Sequence, residues 1–287
     1  MCTRSQSVAE GIATGPRASL DAQMVAGLAF FATAVATVFA QATGVRYSRT
    51  KAPHQGAWTF ALALFALASA ALATGASTGW DEGTFRVFYL LGAIVNVPWL
   101  ALGTVYLLAG RSVGRTVRSG LLVFTGLAIG VMLSTPIHGT IVPDGGIPVG
   151  KDHLDALPRA LAGIGSGLGA VVVFAGAAWS AVRFARRRTP GSGALAGGNA
   201  LIALGTLILA SGGLLQGIIG QDEAFTLSLA VGISVIYGGF VVASGRRGGM
   251  TTRRRPSCQR KRSSKASVQS PFFARNLPSL KRRQSRL

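Results

Sequence analysis

Charged side chains are scarce in this sequence. Only 13% of its 287 residues are Asp, Glu, Lys or Arg, whereas soluble domains carry roughly 25%. Apolar residues make up 49%, glycine contributes 39 residues, and the mean hydropathy is +0.44. This composition excludes an ordinary soluble domain and indicates a chain that is embedded in a lipid bilayer.

Cysteine is nearly absent as well. The two cysteines, Cys2 and Cys258, lie near opposite ends of the chain, and neither has a partner at metal-site spacing. We therefore expect no structural metal and no bound cofactor. The N-terminal segment also lacks the apolar core of a cleavable signal peptide, so the first membrane segment is expected to direct insertion.

Long apolar runs are the dominant positive feature. A membrane helix needs about 20 mostly apolar residues to cross about 30 Å of hydrocarbon. Seven stretches satisfy this requirement: 24–45, 57–78, 85–109, 121–142, 160–182, 194–220 and 224–244. The sequence predicts an all-α membrane protein with an N-terminal tail (1–23), a seven-helix transmembrane domain (24–244) and a C-terminal tail (245–287).

The charges alternate strictly between the two sides of the predicted bundle. One side carries Arg46, Arg49, Lys51, Arg111, Arg115, Arg118, Arg183, Arg186, Arg187, Arg188 and the basic tail. The other side carries few basic residues and all nine acidic ones: Glu10, Asp21, Asp81, Glu82, Asp144, Asp152, Asp155, Asp222 and Glu223. Because basic loops stay in the cytoplasm, we expect the N-terminus outside and the C-terminus inside the bacterial plasma membrane.

An internal repeat is a further expectation. Residues 61–75 of the second span share Ala, Leu, Ser and Gly positions with residues 203–217 of the sixth at a constant offset. An Asp-Glu pair follows each, Asp81-Glu82 and Asp222-Glu223. This pattern predicts a 3+1+3 arrangement with two parallel repeats, although composition alone also produces such matches.

No Asp, Glu, Lys or Arg lies in the middle of any predicted span. Ionisable residues at depth mark proton relays and voltage sensors, so both classes are disfavoured. An intramembrane hydrolase needs a nucleophile with a positioned base or metal. The only deep candidates are Ser and Thr without such a partner, so we do not predict an enzyme.

The most unusual intramembrane group is Asn96-Val97-Pro98-Trp99 in the third span. Pro98 removes a backbone donor and frees the carbonyl of Ile94. One interpretation is a kinked helix lining a small-solute path, with Asn96, Pro98 and Trp99 along it, and His138 and Gln216 as further candidates. The other is a packing kink in which the Asn96 amide bonds to a neighbouring helix.

The outer ends of the spans hold candidate ion pairs. Arg86 has Asp81 and Glu82 nearby in sequence, and Arg159 has Asp152 and Asp155. These residues predict either a closed outer face or an anion-binding vestibule. His138, His153, Asp152 and Asp155 fit no structural zinc spacing, so a metal site is disfavoured.

Two features bear on partners. Glycine pairs four residues apart, such as Gly126 with Gly130 and Gly165 with Gly169, allow close helix packing inside the bundle or between two copies. The basic tail, with Arg253, Arg254, Arg255, Lys261 and Arg262, cannot bury a core and is expected to bind anionic lipid headgroups. Nucleic-acid binding is the less favoured reading of this tail.

Four stretches resemble a family of multi-pass integral membrane proteins from actinobacteria. They are GAWTFALALFALASAALATG (56–75), FRVFYLLGAIVNVPWLALGTVYLL (85–108), LPRALAGIGSGLGA (157–170) and NALIALGTLILASGG (199–213). The resemblance implies a membrane location and a similar number of spans but no mechanism. We therefore predict a small-solute carrier or channel, or alternatively a sensor or scaffold that acts through the outer loop and the basic tail.

Overall fold

The computed structural model describes residues 16–139, 141, 146–187, 189–219 and 222–244, with side chains omitted at 16–21 and 217–219. Throughout these ranges the chain is helical between short connections, and no strand occurs in them. The main helices are α1 (Pro16–Thr50), α2 (Pro53–Thr78), α3 (Glu82–Leu108), α4 (Gly110–Ser134), α5 (Ala156–Ala185), α6 (Ser192–Ile219) and α7 (Asp222–Ser244). A single helical turn, Gly150–His153, precedes α5.

All seven main helices in the described ranges are long and apolar enough to span a membrane, which confirms the expected number. Several of them extend beyond the predicted apolar runs, because a helix continues into the polar interface while its backbone bonds are satisfied internally. Helix α4 is an exception at its C-terminal end. It stops at Ser134, well before residue 142, because Thr135 takes the extended conformation that a following proline, Pro136, favours.

Six of these helices form a closed ring, in the order α1, α2, α3, α5, α6, α7 and back to α1. Sequence neighbours within the ring are antiparallel, as Thr43 with Thr59 shows for α1 and α2. Helices α3 and α5 run parallel, and so do α1 and α7. Helix α4 lies outside the ring against α3, with a smaller contact to α5, and it is the least buried of the seven.

Apolar side chains fill the ring. One cluster joins α1, α2 and α7 through Phe39, Phe65 and Ile236. A second cluster at the end that holds Asp81 and Asp222 is built around Phe85 and Leu72, both fully buried. The third joins α3 to α2, α4 and α5. The described interior is therefore a packed core rather than an open pore.

Several of the positions that suggested an internal repeat differ in burial. Leu72 of α2 is fully buried, whereas the matching Leu214 of α6 is 64% exposed. Ser69 is buried and its counterpart Ser211 is exposed. Gly217, which matches Gly75, lies outside the residues whose side chains are described. The repeat stays a prediction.

Candidate functional site

Helix α3 is broken at its centre. It runs as an α-helix over Glu82–Phe88, widens to a π-helix over Tyr89–Val95, and returns to an α-helix from Asn96. The backbone N–H of Asn96 accordingly donates to the carbonyl of Leu91, five residues earlier. In π-helical geometry the carbonyl of Ala93 would accept a hydrogen bond from the backbone amide of residue 98. In α-helical geometry the carbonyl of Ile94 would accept from the same amide. Because residue 98 is proline, neither bond forms.

Helix α5 packs directly on this break. The hydroxyl of Ser166 donates a 2.5 Å hydrogen bond to the carbonyl oxygen of Ala93. On either side of Ser166, glycines let the backbones approach closely: a Cβ at Gly165 would lie 2.8 Å from the carbonyl oxygen of Ile94, and one at Gly169 would lie 2.9 Å from the carbonyl carbon of Val97. The freed carbonyls of α3 are thus covered by a small-residue stripe on α5.

The Asn96 side chain is buried, 6% exposed, at the middle of α3. It lies on the helix stripe shared with Gly92 and Gly103, which approach Ala68 and Trp58 of α2. Within the part of the chain that the structure describes, its amide makes no hydrogen bond to another side chain or carbonyl. The interhelical bond at this kink comes from Ser166, not from Asn96.

Trp99 links three helices. Its indole Nε1 donates a 3.1 Å hydrogen bond to the hydroxyl of Thr125 on α4, and its ring packs edge-on against Phe60 of α2 with centroids 4.7 Å apart. Pro98, one residue earlier, points to the other side, where it contacts Gly165. Pro98 therefore faces α5, whereas Trp99 faces α2 and α4. That Asn96, Pro98 and Trp99 line a solute path stays a prediction.

Arg86 binds the C-terminal end of α4. Its guanidinium donates to the carbonyl oxygens of Met132 and Thr135, the latter at 2.9 Å, and pairs with Glu82 at 2.5 Å. Asp81 does not pair with Arg86 but caps α3, accepting bonds from the amide and the hydroxyl of Thr84. These two bonds, the hydroxyl bond first, hold the pKa of the exposed Asp81 carboxyl below its ordinary value of 3.8.

Two histidines between α4 and α5 are hydrogen-bonded to each other. His138 and His153 are joined by two bonds, from the His138 amide to the His153 carbonyl and between His153 Nδ1 and the His138 carbonyl. His138 Nε2 lies 3.0 Å from Asp155. The described residues hold no group of three metal-ligating side chains. Neither the Arg86–Glu82 ion pair nor the contact between His138 and Asp155 includes Arg159 or Asp152.

Gln216 lies near the end of the bundle that holds Asp222 rather than at its centre. Its Nε2 donates to Asp222 at 2.8 Å, and the same carboxylate accepts from the backbone amide of Ile147 at 2.7 Å. The Gln216 Oε1 and the indole Nε1 of Trp80 are buried without partners in the described structure. Asp222 thereby ties the segment before α5 to the start of α7.

The glycine pairs behave differently from one another. Gly165 and Gly169 pack against α3, whereas nothing lies within 4 Å of a Cβ placed at Gly126, Gly130, Gly163 or Gly167. The pairs on α4 and on the outer side of α5 therefore leave open grooves on the surface of the described bundle. Residues 253–255, 261 and 262 of the basic tail lie outside the described residues.

The sequence did not predict roles for Ser166 and Thr125. A sequence feature that indicates the role of Ser166 is recognisable once the structure is known. Ser166 stands between Gly165 and Gly167 in a span of small residues, and a lone hydroxyl in such a stripe is a natural partner for a carbonyl that proline frees. Ser166 lies beside Ala93 because of how α3 and α5 are aligned by packing. Residue spacing within a single helix does not determine this alignment.

The fold and these sites define an α-helical, multi-pass membrane protein with a proline-broken third helix. Comparison of the chain with protein-family models, with curated proteins and with solved structures finds no match.

Proposed function

We propose that this chain is a carrier or channel for a small neutral or weakly polar solute, and that the solute binds beside Asn96. The observation that supports this proposal is the Asn96 side chain, which is 6% exposed and makes no hydrogen bond among the described residues. Its amide atoms are not fully enclosed, and an amide without a partner in apolar surroundings costs up to about 1–3 kcal/mol on mutational scales. A polar solute that reaches the amide would recover this cost.

The backbone around Asn96 has the features of a moving element. Short π-helical segments often occur at functional sites, and carriers place substrates near the bilayer midplane at interrupted helices. Asn96 lies at the centre of α3, directly after the π-helix and two residues before Pro98. Because the described interior is packed, solute passage requires α3 to move relative to α2, and a helix with two missing backbone bonds bends at lower cost.

Replacing Asn96 with leucine tests this role. Leucine fills a similar volume and removes the unpaired amide, so we expect unchanged or higher thermal stability in detergent. We expect uptake by proteoliposomes, measured with a panel of small neutral and zwitterionic solutes, to fall at least tenfold for the transported one. Ser166→Ala is the matched control, because it weakens the same kink without touching the amide.

The two variants separate function from structure. If Asn96 serves only packing, Asn96→Leu lowers the melting temperature. Asn96→Leu and Ser166→Ala then both lose uptake in proportion to their loss of stability. If no solute in the panel is transported or shifts the melting temperature of the wild-type protein, the carrier proposal is overturned. A solute at about 100 times its Kd raises the stability by about 2.7 kcal/mol, which thermal unfolding detects readily.

The alternative is a sensor or scaffold that uses the outer segment. Its support is the bond between Asp222 and the Ile147 amide and the bonds that join His138 to His153, which fix these residues at that end of the bundle. Such a protein would bind a partner or ligand at this face without transport. Asn96→Leu would then leave its activity unchanged, which distinguishes the two functions.

We further propose that the protein lies in a bacterial plasma membrane with its N-terminus outside. Support comes from the charge alternation: Arg46, Arg49 and Lys51 lie at the α1–α2 connection, and the acidic Asp81, Glu82 and Asp222 begin α3 and α7 at the other end. The ring order, in which α3 and α5 are parallel like α7 and α1, is also the order that a 3+1+3 repeat would give. Cysteine accessibility labelling at Ser77 and Ser112 in intact cells would test the orientation.

A further inference from the structure

An apolar cleft opens on the outer surface between α3, α4 and α5. Its volume is about 260 Å³, and its walls are residues of all three helices, among them Pro98, Val105, Val117, Leu121, Phe124 and Leu168. It exists because α4 packs along α3 and approaches α5 only over a small contact. Every described side chain that lines it is apolar, which excludes the small polar solute proposed above as its occupant.

A row of arginines begins α4, and its last member, Arg118, is a helix neighbour of the cleft-lining Leu121. Arg111, Arg115 and Arg118 follow the i, i+4, i+7 spacing and form one exposed stripe at the start of α4. Arg118 is three residues before Leu121, and residues at this spacing are neighbours on a helix surface. None of these arginines has an ion-pair partner among the described side chains.

We infer that the cleft binds one acyl chain of an anionic phospholipid whose phosphate is held by Arg118. The apolar walls match the hydrocarbon chain, and the unpaired guanidinium groups match the phosphate, with which arginine forms charge-assisted hydrogen bonds. Arg118 follows the cleft-lining Val117 directly in sequence, so a headgroup held by Arg118 places an acyl chain next to the cleft wall.

The bound lipid would complete the bundle. Helix α4 is the least buried spanning helix, and it contacts α5 only over a small area, with the cleft between the two helices. An acyl chain there bridges the wall formed by Val117 and Leu121 to the wall formed by Ile164 and Leu168. This inference does not depend on solute transport, because it concerns the outer surface and not the interface that holds Asn96.

Native mass spectrometry of the full chain in detergent provides the test, with phosphatidylglycerol and phosphatidylcholine of identical acyl chains as probes. We expect one phosphatidylglycerol to bind saturably and more tightly than phosphatidylcholine. Arg118→Gln should weaken phosphatidylglycerol binding by about fivefold, the value for one basic residue near an anionic lipid. Arg49→Gln, at the exposed end of α1, is the matched control and should leave binding unchanged; both variants keep the basic tail.

A second pair of variants tests the cleft itself. Val117→Phe narrows it, whereas Val123→Phe adds the same bulk to a 73% exposed position on α4. Loss of the bound lipid in the first variant only is the expected result. Equal binding of the two lipids, equal effects of Arg118→Gln and Arg49→Gln, or a dimer that excludes lipid from the cleft would each overturn the inference.

Discussion

The hydroxyl of Ser166 on α5 donates a 2.5 Å hydrogen bond to the carbonyl oxygen of Ala93 on α3. This carbonyl lacks its own helical partner, because the residue five positions later in the π-helical pattern is Pro98. Buried carbonyls without a partner are rare in proteins and nearly excluded in lipid. Ser166 and Pro98 therefore act as a pair, in which one side chain compensates for the backbone donor that the other removes.

Ser166→Ala should lower the free energy of unfolding by about 1 kcal/mol, the usual size of an interhelical hydrogen bond in membranes. In a Pro98→Ala background the loss should be smaller, because residue 98 then supplies an N–H to α3 itself. Thermal or denaturant unfolding of the four proteins in this double-mutant cycle measures the coupling. Ser119→Ala, at an exposed serine that bonds within α4, is the control; additive effects of the first two substitutions would contradict the pairing.

The glycines that flank Ser166 should differ sharply in their tolerance of alanine. At Gly165 a Cβ would lie 2.8 Å from the Ile94 carbonyl oxygen, so Gly165→Ala must push α5 from α3 and should cost about 1–3 kcal/mol. At Gly167 nothing lies within 4 Å, and Gly167→Ala should be neutral or stabilising, because alanine favours the helix by up to about 1 kcal/mol. The melting temperatures of the two purified variants decide the matter, and equal values would show that the helices are less closely packed than described.

The sequence predicted the number of spanning helices because their length and apolarity are local properties. It also predicted that Pro98 disturbs α3, since proline removes a donor wherever it occurs in a helix. It did not predict the π-helix or Ser166, because both depend on how α3 and α5 are aligned. The same limit applies to Arg86. Its pairing with Glu82 follows from i, i+4 spacing, whereas its contacts with Met132 and Thr135 come from a turn that the sequence places in a membrane span.

Removal of the Arg86 guanidinium should loosen the C-terminal end of α4. The last carbonyls of a helix lack intrahelical partners, and Arg86 donates to those of Met132 and Thr135. In Arg86→Met the amides around Thr135 should exchange hydrogen for deuterium at least tenfold faster, with little change in α2. Arg159→Met, an exposed residue outside the described ion pairs, is the control. If the amides around Thr135 exchange in both variants as slowly as in the wild type, Arg86 is not needed and Pro136 alone is enough to end α4 stably.

The cap of α3 should give the protein a small acid-dependent component of stability. The Thr84 hydroxyl and amide lower the pKa of the Asp81 carboxyl from 3.8, so the ionised form is favoured in the folded state. This stabilisation is fully present above the unfolded-state pKa and is lost as the pH falls through the lower folded-state value.

Thr84→Val removes the hydroxyl bond, which is the larger cause of the lowered pKa, and should raise the pKa of Asp81. The melting temperature of Thr84→Val should therefore lie below that of the wild type by a constant amount above pH 5, and the gap should close as the pH falls below 4. Thr78→Val, which loses only a bond to its own helix, serves as the control. A gap between wild type and Thr84→Val that persists unchanged at low pH would show that Thr84 stabilises α3 by packing and not through the charge of Asp81.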